Sequence, residues 1–152
     1  MIDKIDKIST ISESLTAYGS GLLQGTAYSR LHAHLTRTLV QFDLSIPEWK
    51  LLGQLYDHRK VKLSELAELL SYDPPMVTKL AKQLEKKGLV KRYHDEYDGR
   101  SKIITNTLKG EKLIEKIEPY VKKTMASILK GVSTKDLHTY IKVLTIIVDN
   151  TK

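Results

Sequence analysis

The sequence predicts a mainly helical protein with one small β-hairpin. Three observations carry that expectation. Apolar residues recur at intervals near 3.6 along most of the 152 residues. Helix starts are spelled out at Ser45-Ile46-Pro47-Glu48, Asp73-Pro74 and Ser133-Thr134-Lys135-Asp136, where a Ser or Asp side chain can bond the free N–H groups of a first turn. The segments 89–93 and 101–105 read as short strands. The polar stretch between them contains Asp98-Gly99, so they pair as a hairpin with a long tip.

The elements follow in order. A first helical segment covers roughly 12–42, with Leu31, Leu35, Leu39 and Phe42 on one face. Gly19, Gly21 and Gly25 each cost about 1 kcal/mol against Ala there, which predicts a bend or a late start. That glycine run is no dinucleotide loop, because its third glycine comes one place late and no strand precedes it. A second helix opens at the Ser45 box and turns Trp49, Leu51, Leu52, Leu55 and Tyr56 toward a core. Leu63 to Leu70 forms a short helix that buries Leu66, Ala67, Leu69 and Leu70. Ser71-Tyr72-Asp73 then turns the chain into a helix that runs to about Lys87 and stops at Gly88, a residue suited to a left-handed cap. Beyond the hairpin, a helix from about Leu108 to Lys130 carries Leu113, Ile117, Val121, Ile128 and Leu129, with Pro119 able to kink it. The last helix shows Leu137, Tyr140, Ile141, Leu144, Ile147 and Val148 at helical spacing.

Composition excludes several functions. At 41% hydrophobic and 28% charged the chain is globular rather than disordered. At this length about 68–70% of the unfolded surface can be buried, so neither disulfides nor metals are needed. There is no cysteine, which removes thiolate catalysis, thiol switches and cysteine-ligated zinc. The five histidines (His32, His34, His58, His94 and His138) show no ligand spacing, and no metal site is expected. No nucleophile elbow, phosphate loop or paired-carboxylate signature is present, so the chain reads as a non-enzyme without a cofactor. No apolar run approaches the roughly 20 residues of a membrane span, and the acid-bearing first residues lack a signal core. The expectation is a soluble, cytoplasmic protein with no membrane partner.

Charge points to a partner. Residues 1–57 hold five basic and six acidic side chains; residues 58–102 hold eleven and seven, and residues 103–152 nine and five. A basic middle and tail suit an anionic partner, nucleic acid being the commonest. Two short helices joined by a tight turn, then a basic hairpin, form the layout of a winged helix-turn-helix, whose second helix is made for a major groove. On that helix Val77, Leu80, Ala81 and Leu84 recur at inward-facing intervals. The opposite face holds Pro75, Met76, Thr78, Lys79, Lys82, Gln83 and Lys86. Lys79 and Lys82 can reach phosphates or guanine acceptors, Gln83 an adenine edge, Thr78 a base or phosphate, and Met76 a thymine methyl.

Residues 45–110 resemble the MarR (multiple antibiotic resistance regulator) family of transcriptional regulators. The matching stretches are Pro-Glu-Trp-Lys-Leu-Leu-Gly (47–53), Leu-Ser-Glu-Leu-Ala-Glu-Leu-Leu (63–70), the run from Met76 to Arg92, and Asp-Gly-Arg-Ser (98–101), followed by Lys109-Gly110-Glu111. Asn106 departs from the pattern, since the family usually carries an apolar residue there. The resemblance implies a homodimer joined by its N- and C-terminal helices that reads a pseudo-palindromic operator in double-stranded DNA, most often as a repressor. It implies that Arg100 at the wing tip enters the minor groove, oriented by Asp98, and that Ser101 helps set the wing. It further implies release by a phenolic or aromatic carboxylate ligand, for which Tyr28, His32 and Trp49 are the candidate lining. The dimer has support from the residues too: the terminal helices carry more apolar side chains than a domain this small can bury alone, Ile114, Ile146 and Ile147 among them, with a weaker case for Ile5 and Ile8. The chain then divides into an N-terminal dimerisation region (1–44), a winged helix-turn-helix core (45–107) and C-terminal dimerisation helices (108–152). The alternative is a winged helix that serves as a protein–protein interaction module without sequence-specific DNA binding. Such a module has no need of a basic wing or of the Asp98-x-Arg100 pattern.

Overall fold

A computed structural model describes residues 17–94 and 102–151. In chain order these residues form α1 (Ala17–Val40), α2 (Ile46–His58), β1 (Lys60–Lys62), α3 (Leu63–Leu70), α4 (Pro74–Lys86), β2 (Val90–His94), β3 (Lys102–Asn106), α5 (Leu108–Ile128) and α6 (Thr134–Asn150). The fold is mainly α with a small antiparallel sheet.

The caps act as their residue types require. Ser45 Oγ accepts from the Glu48 N–H at 3.3 Å, while Glu48 Oε2 accepts from the Ser45 N–H at 2.9 Å, closing a reciprocal box at the start of α2. Asp73 caps α4 by accepting from the Met76 N–H at 2.6 Å, and Ser133 caps α6 by accepting from the Asp136 N–H at 3.1 Å. Such caps contribute about 1 kcal/mol each.

One core forms where the apolar stripes converge. Leu35 and Leu39 of α1, Leu51, Leu52 and Leu55 of α2, Leu66 of α3, and Val77, Leu80, Ala81 and Leu84 of α4 are all buried. Val61, Val90 and Ile104 close it from the sheet, and Ile117 from α5. The start of α5 lies so close to β2 that a Cβ on Gly110 would sit 2.2 Å from the Leu89 carbonyl oxygen.

Several expectations are corrected. The sheet has three strands in the order β1-β3-β2, not two, with Val61 opposite Ile104 and Arg92 opposite Ile104 from the other side. Lys60-Val61-Lys62 is too short to display a period of two, and its pairing with β3 is a long-range event. The hairpin strands each lie one residue later than expected, and Asn106 ends β3 inside the sheet. Its side-chain amide donates to the Leu52 carbonyl at 3.1 Å, tying sheet to α2. The helix α1 runs unbroken through Gly19, Gly21 and Gly25. Tyr56 and Leu69 are exposed rather than core, because each falls beside its helix's buried stripe. Tyr56 instead donates its hydroxyl to Glu115 at 3.2 Å. On α6 no residue is buried, for no other described element packs closely against it.

Candidate nucleic-acid interface

The turn between α3 and α4 places Ser71 in the left-handed region (φ +53°), and the Tyr72 N–H bonds back to the Ala67 carbonyl at 3.0 Å. A non-glycine residue there costs roughly 1–3 kcal/mol, so the surrounding packing has to hold the turn. The buried stripe of α4 then presents its other side to solvent. Pro74, Pro75, Thr78, Lys79, Lys82, Gln83 and Lys86 line one shallow groove along that side. Six of the seven predicted outward residues are thus brought together. Met76 is not; half-buried, it packs against the core instead.

The groove has no acidic lining. Glu85, the one acid of α4, is turned away and held by Arg92 of β2. Arg92 Nε donates to Glu85 Oε2 at 3.0 Å, its Nη2 donates to the same oxygen, and its backbone N–H donates to Glu85 Oε1 at 3.2 Å. That hydrogen bond from the guanidinium, more than its charge, holds the Glu85 carboxyl below the usual glutamate range, against a smaller opposing push from burial. Lys79, Lys82 and Lys86 enter no ion pair among the described residues, so the outer face of α4 is free to meet an anion.

The far end of α4 is anchored. Gly88 takes φ +71° and ends the helix. Lys87 Nζ reaches Glu48 Oε1 at 3.0 Å, Asp43 Oδ2 at 3.5 Å and the Asp43 carbonyl at 2.5 Å. Thr107 donates its hydroxyl to the Gly88 carbonyl at 2.8 Å, and Lys109 Nζ donates to the Lys87 carbonyl at 2.8 Å. The helix is therefore clamped to α2, to the loop before it and to α5. Sequence reasoning missed both ties. A Glu and an Arg seven residues apart meet only because a tight turn at Gly88 folds β2 back along α4. Glu48 was legible as a cap but not as the buried counter-charge of Lys87.

Asp98, Arg100 and Ser101 lie outside the described residues. The aromatic candidates do not share one cavity. Tyr28 and His32 stack loosely on α1, ring centroids 5.8 Å apart, and Tyr28 is exposed. Trp49 lines a separate cleft of about 640 Å³ between α2, α3 and α5, together with Lys50, Leu69, Ile114, Val121 and Lys122. Beside Tyr28, burial pushes the Tyr72 phenol up. Among the described residues no group of His, Asp or Glu is arranged to hold a metal, and no helix is long and apolar enough to cross a membrane.

Residues 44–102 match the MarR family. The HTH-type transcriptional regulator YfiV of Bacillus subtilis (strain 168) is 36% identical over 74 residues, which are 49% of this chain and 46% of that protein. The match thus spans less than half the length of this relative. Among solved structures, the S. aureus MepR–DNA complex has a TM-score of 0.79 at 26% identity, covering 86% of this chain and 96% of its own. A mutant MarR from E. coli complexed with operator DNA has a TM-score of 0.80 at 20% identity, with 90% and 96% covered. BpsR of Bordetella bronchiseptica, whose DNA binding is regulated by 6-hydroxynicotinic acid, has a TM-score of 0.79 at 23% identity, with 85% and 92% covered. Motif, helix-turn-helix geometry and these likenesses agree: over residues 44–102 the chain is similar to the MarR family, and its fold is that of the MarR-type structures.

Proposed function

We propose that the protein is a sequence-specific, DNA-binding transcriptional regulator, most simply a repressor, and that it reads a pseudo-palindromic operator as a homodimer. The observation that carries this reading is the acid-free lysine face of α4, with Glu85 drawn aside by Arg92. Thr78, Lys79, Lys82, Gln83 and Lys86 are assigned to the major groove, with Pro75 beside the helix start. Arg100, oriented by Asp98, is assigned to the minor groove, with Ser101 setting the wing. The likeness to MepR and MarR in their DNA complexes supports the docking mode.

The dimer reading rests on the bare apolar face of α6, where Tyr140, Ile141, Ile146 and Ile147 stand 42–54% exposed. With it goes the division of the chain at about 44 and 107 into dimerisation and DNA-binding parts. A small aromatic carboxylate is the ligand class this reading assigns to the Trp49 cleft, in keeping with the regulation of BpsR. Tyr28 and His32 fit it less well. A salicylate titration that leaves DNA affinity unchanged well past millimolar would count against it.

The test is a fluorescence-polarisation titration against the DNA upstream of the protein's own gene, beside a scrambled duplex, at two salt concentrations. Preference for the native duplex by about 10³ or more is expected. Lys82→Ala should weaken binding to both duplexes and reduce the salt slope by about one. Gln83→Ala should leave the salt slope alone and relax sequence preference by about 1–3 kcal/mol at one base pair. Weak, equal binding to both duplexes would favour the interaction-module reading.

A further inference from the structure

Away from α4 and from the Trp49 cleft, the crossing of α1 and α5 carries a further concave site of about 310 Å³. We propose that it binds a phosphate-type oxyanion, as free phosphate or as the phosphate group of a small molecule. Three cationic or protonatable groups converge there: His34 and Arg37 from α1 and Lys123 from α5. The remaining lining is Thr38, Thr124, Ser127 and Gln41, of which the Thr38 hydroxyl donates to the His34 carbonyl at 3.2 Å and the Gln41 amide to the Thr38 carbonyl at 2.8 Å. No carboxylate and no apolar side chain lines it, so it suits neither a cation nor an apolar ring.

Helical spacing explains how the group assembles. His34, Arg37, Thr38 and Gln41 form a polar stripe beside the buried stripe of Leu35 and Leu39. The two helices are pinned by the edge-on contact of Phe42 with Tyr120, ring centroids 5.1 Å apart, and by the Thr38 and Thr124 hydroxyls 2.8 Å apart. Arg37 lies in the last turn of α1, where a cation complements the helix dipole. Lys123 lies well inside α5, away from either helix end, yet it faces the same cavity. Neither Arg37 nor Lys123 enters an ion pair among the described residues. With the Thr38 and Thr124 hydroxyls bonded to each other, the planar guanidinium fork of Arg37, the Lys123 ammonium and the Ser127 hydroxyl are the donor set that a tetrahedral oxyanion accepts from. A volume near 300 Å³ is at the small end of ligand sites.

The site shares no residue with the α4 groove, so it stands or falls apart from the DNA-binding reading. The test is calorimetric titration of the full-length protein with inorganic phosphate and with glycerol phosphate, against sodium chloride at matched ionic strength. Saturable binding is expected. Arg37→Gln and Lys123→Gln should each weaken it at least tenfold with an unchanged thermal melt, while Arg37→Lys retains most of it and Lys82→Gln leaves it intact. Stronger binding of the ester would mark a phosphorylated small molecule, and equal binding free phosphate; both uphold the site. The proposal is overturned by a non-saturating response, or by a loss seen only in Lys82→Gln, which would put the anion on α4. It is also overturned if Arg37→Gln changes the sedimentation coefficient but not phosphate affinity, since a second copy's carboxylate would then be the counter-charge.

Discussion

Glu85 and Gly110 show how much single residues settle. An unpaired carboxylate on α4 would repel phosphate, and the Arg92 guanidinium removes that repulsion while fastening β2 to the helix. Because the Glu85 pKa is lowered on folding, its contribution to stability is present above the ordinary glutamate value near 4.5 and is lost as pH falls through the depressed value. Glu85→Gln should therefore be less stable than the parent at neutral pH, and the gap should narrow as pH falls below the ordinary glutamate value near 4.5 and through the depressed one; urea titrations from neutral to acid pH check this. In the sequence Gly110 stands out only as part of Lys109-Gly110-Glu111. Its Cβ position, 2.2 Å from a backbone oxygen, shows that the contact is with main chain, which cannot swing aside as a side chain would. Gly110→Ala should destabilise by about 1–3 kcal/mol, read from the urea midpoint, with the fold retained.

At the scale of elements, the helices announced themselves because caps and apolar spacing are local. Ser45, Asp73 and Ser133 each cap the helix that their residue type predicts. Strand β1 did not, since three residues carry no readable period and Lys60-Val61-Lys62 becomes a strand only when β3 arrives beside it. The same limit hid the second use of Glu48. Its carboxylate is nearly buried and Lys87 is its ion-pair partner, so one side chain both starts α2 and holds the end of α4. Lys87→Met leaves that carboxylate without its cation, and a loss of about 1–3 kcal/mol is expected. A Glu48→Gln, Lys87→Met double variant should recover part of the loss, and an additive result in thermal melts would show that the pair does not interact.

For the whole molecule, the outstanding feature is a last helix with an apolar side that no other described element covers. On the proposed reading a second copy covers it. Ile147, 42% exposed in the single chain, then becomes core. Ile147→Asp should shift the protein from dimer to monomer in sedimentation velocity and weaken operator binding by at least tenfold, because one recognition helix then has to hold the DNA alone. An unchanged dimer would move the interface elsewhere. Sequence alone determined the helices, their caps, the inward stripe of α4 and the resemblance of residues 44–102 to the MarR family, since each is written in neighbouring residues or in a periodic pattern that local geometry obeys. Tertiary structure alone decided that Met76 turns inward, that Trp49 parts from Tyr28 and His32, that β1 completes the sheet and that Arg92 silences Glu85. Those outcomes depend on distances between segments far apart in the chain or across a turn, and a pattern of residue types does not encode such distances.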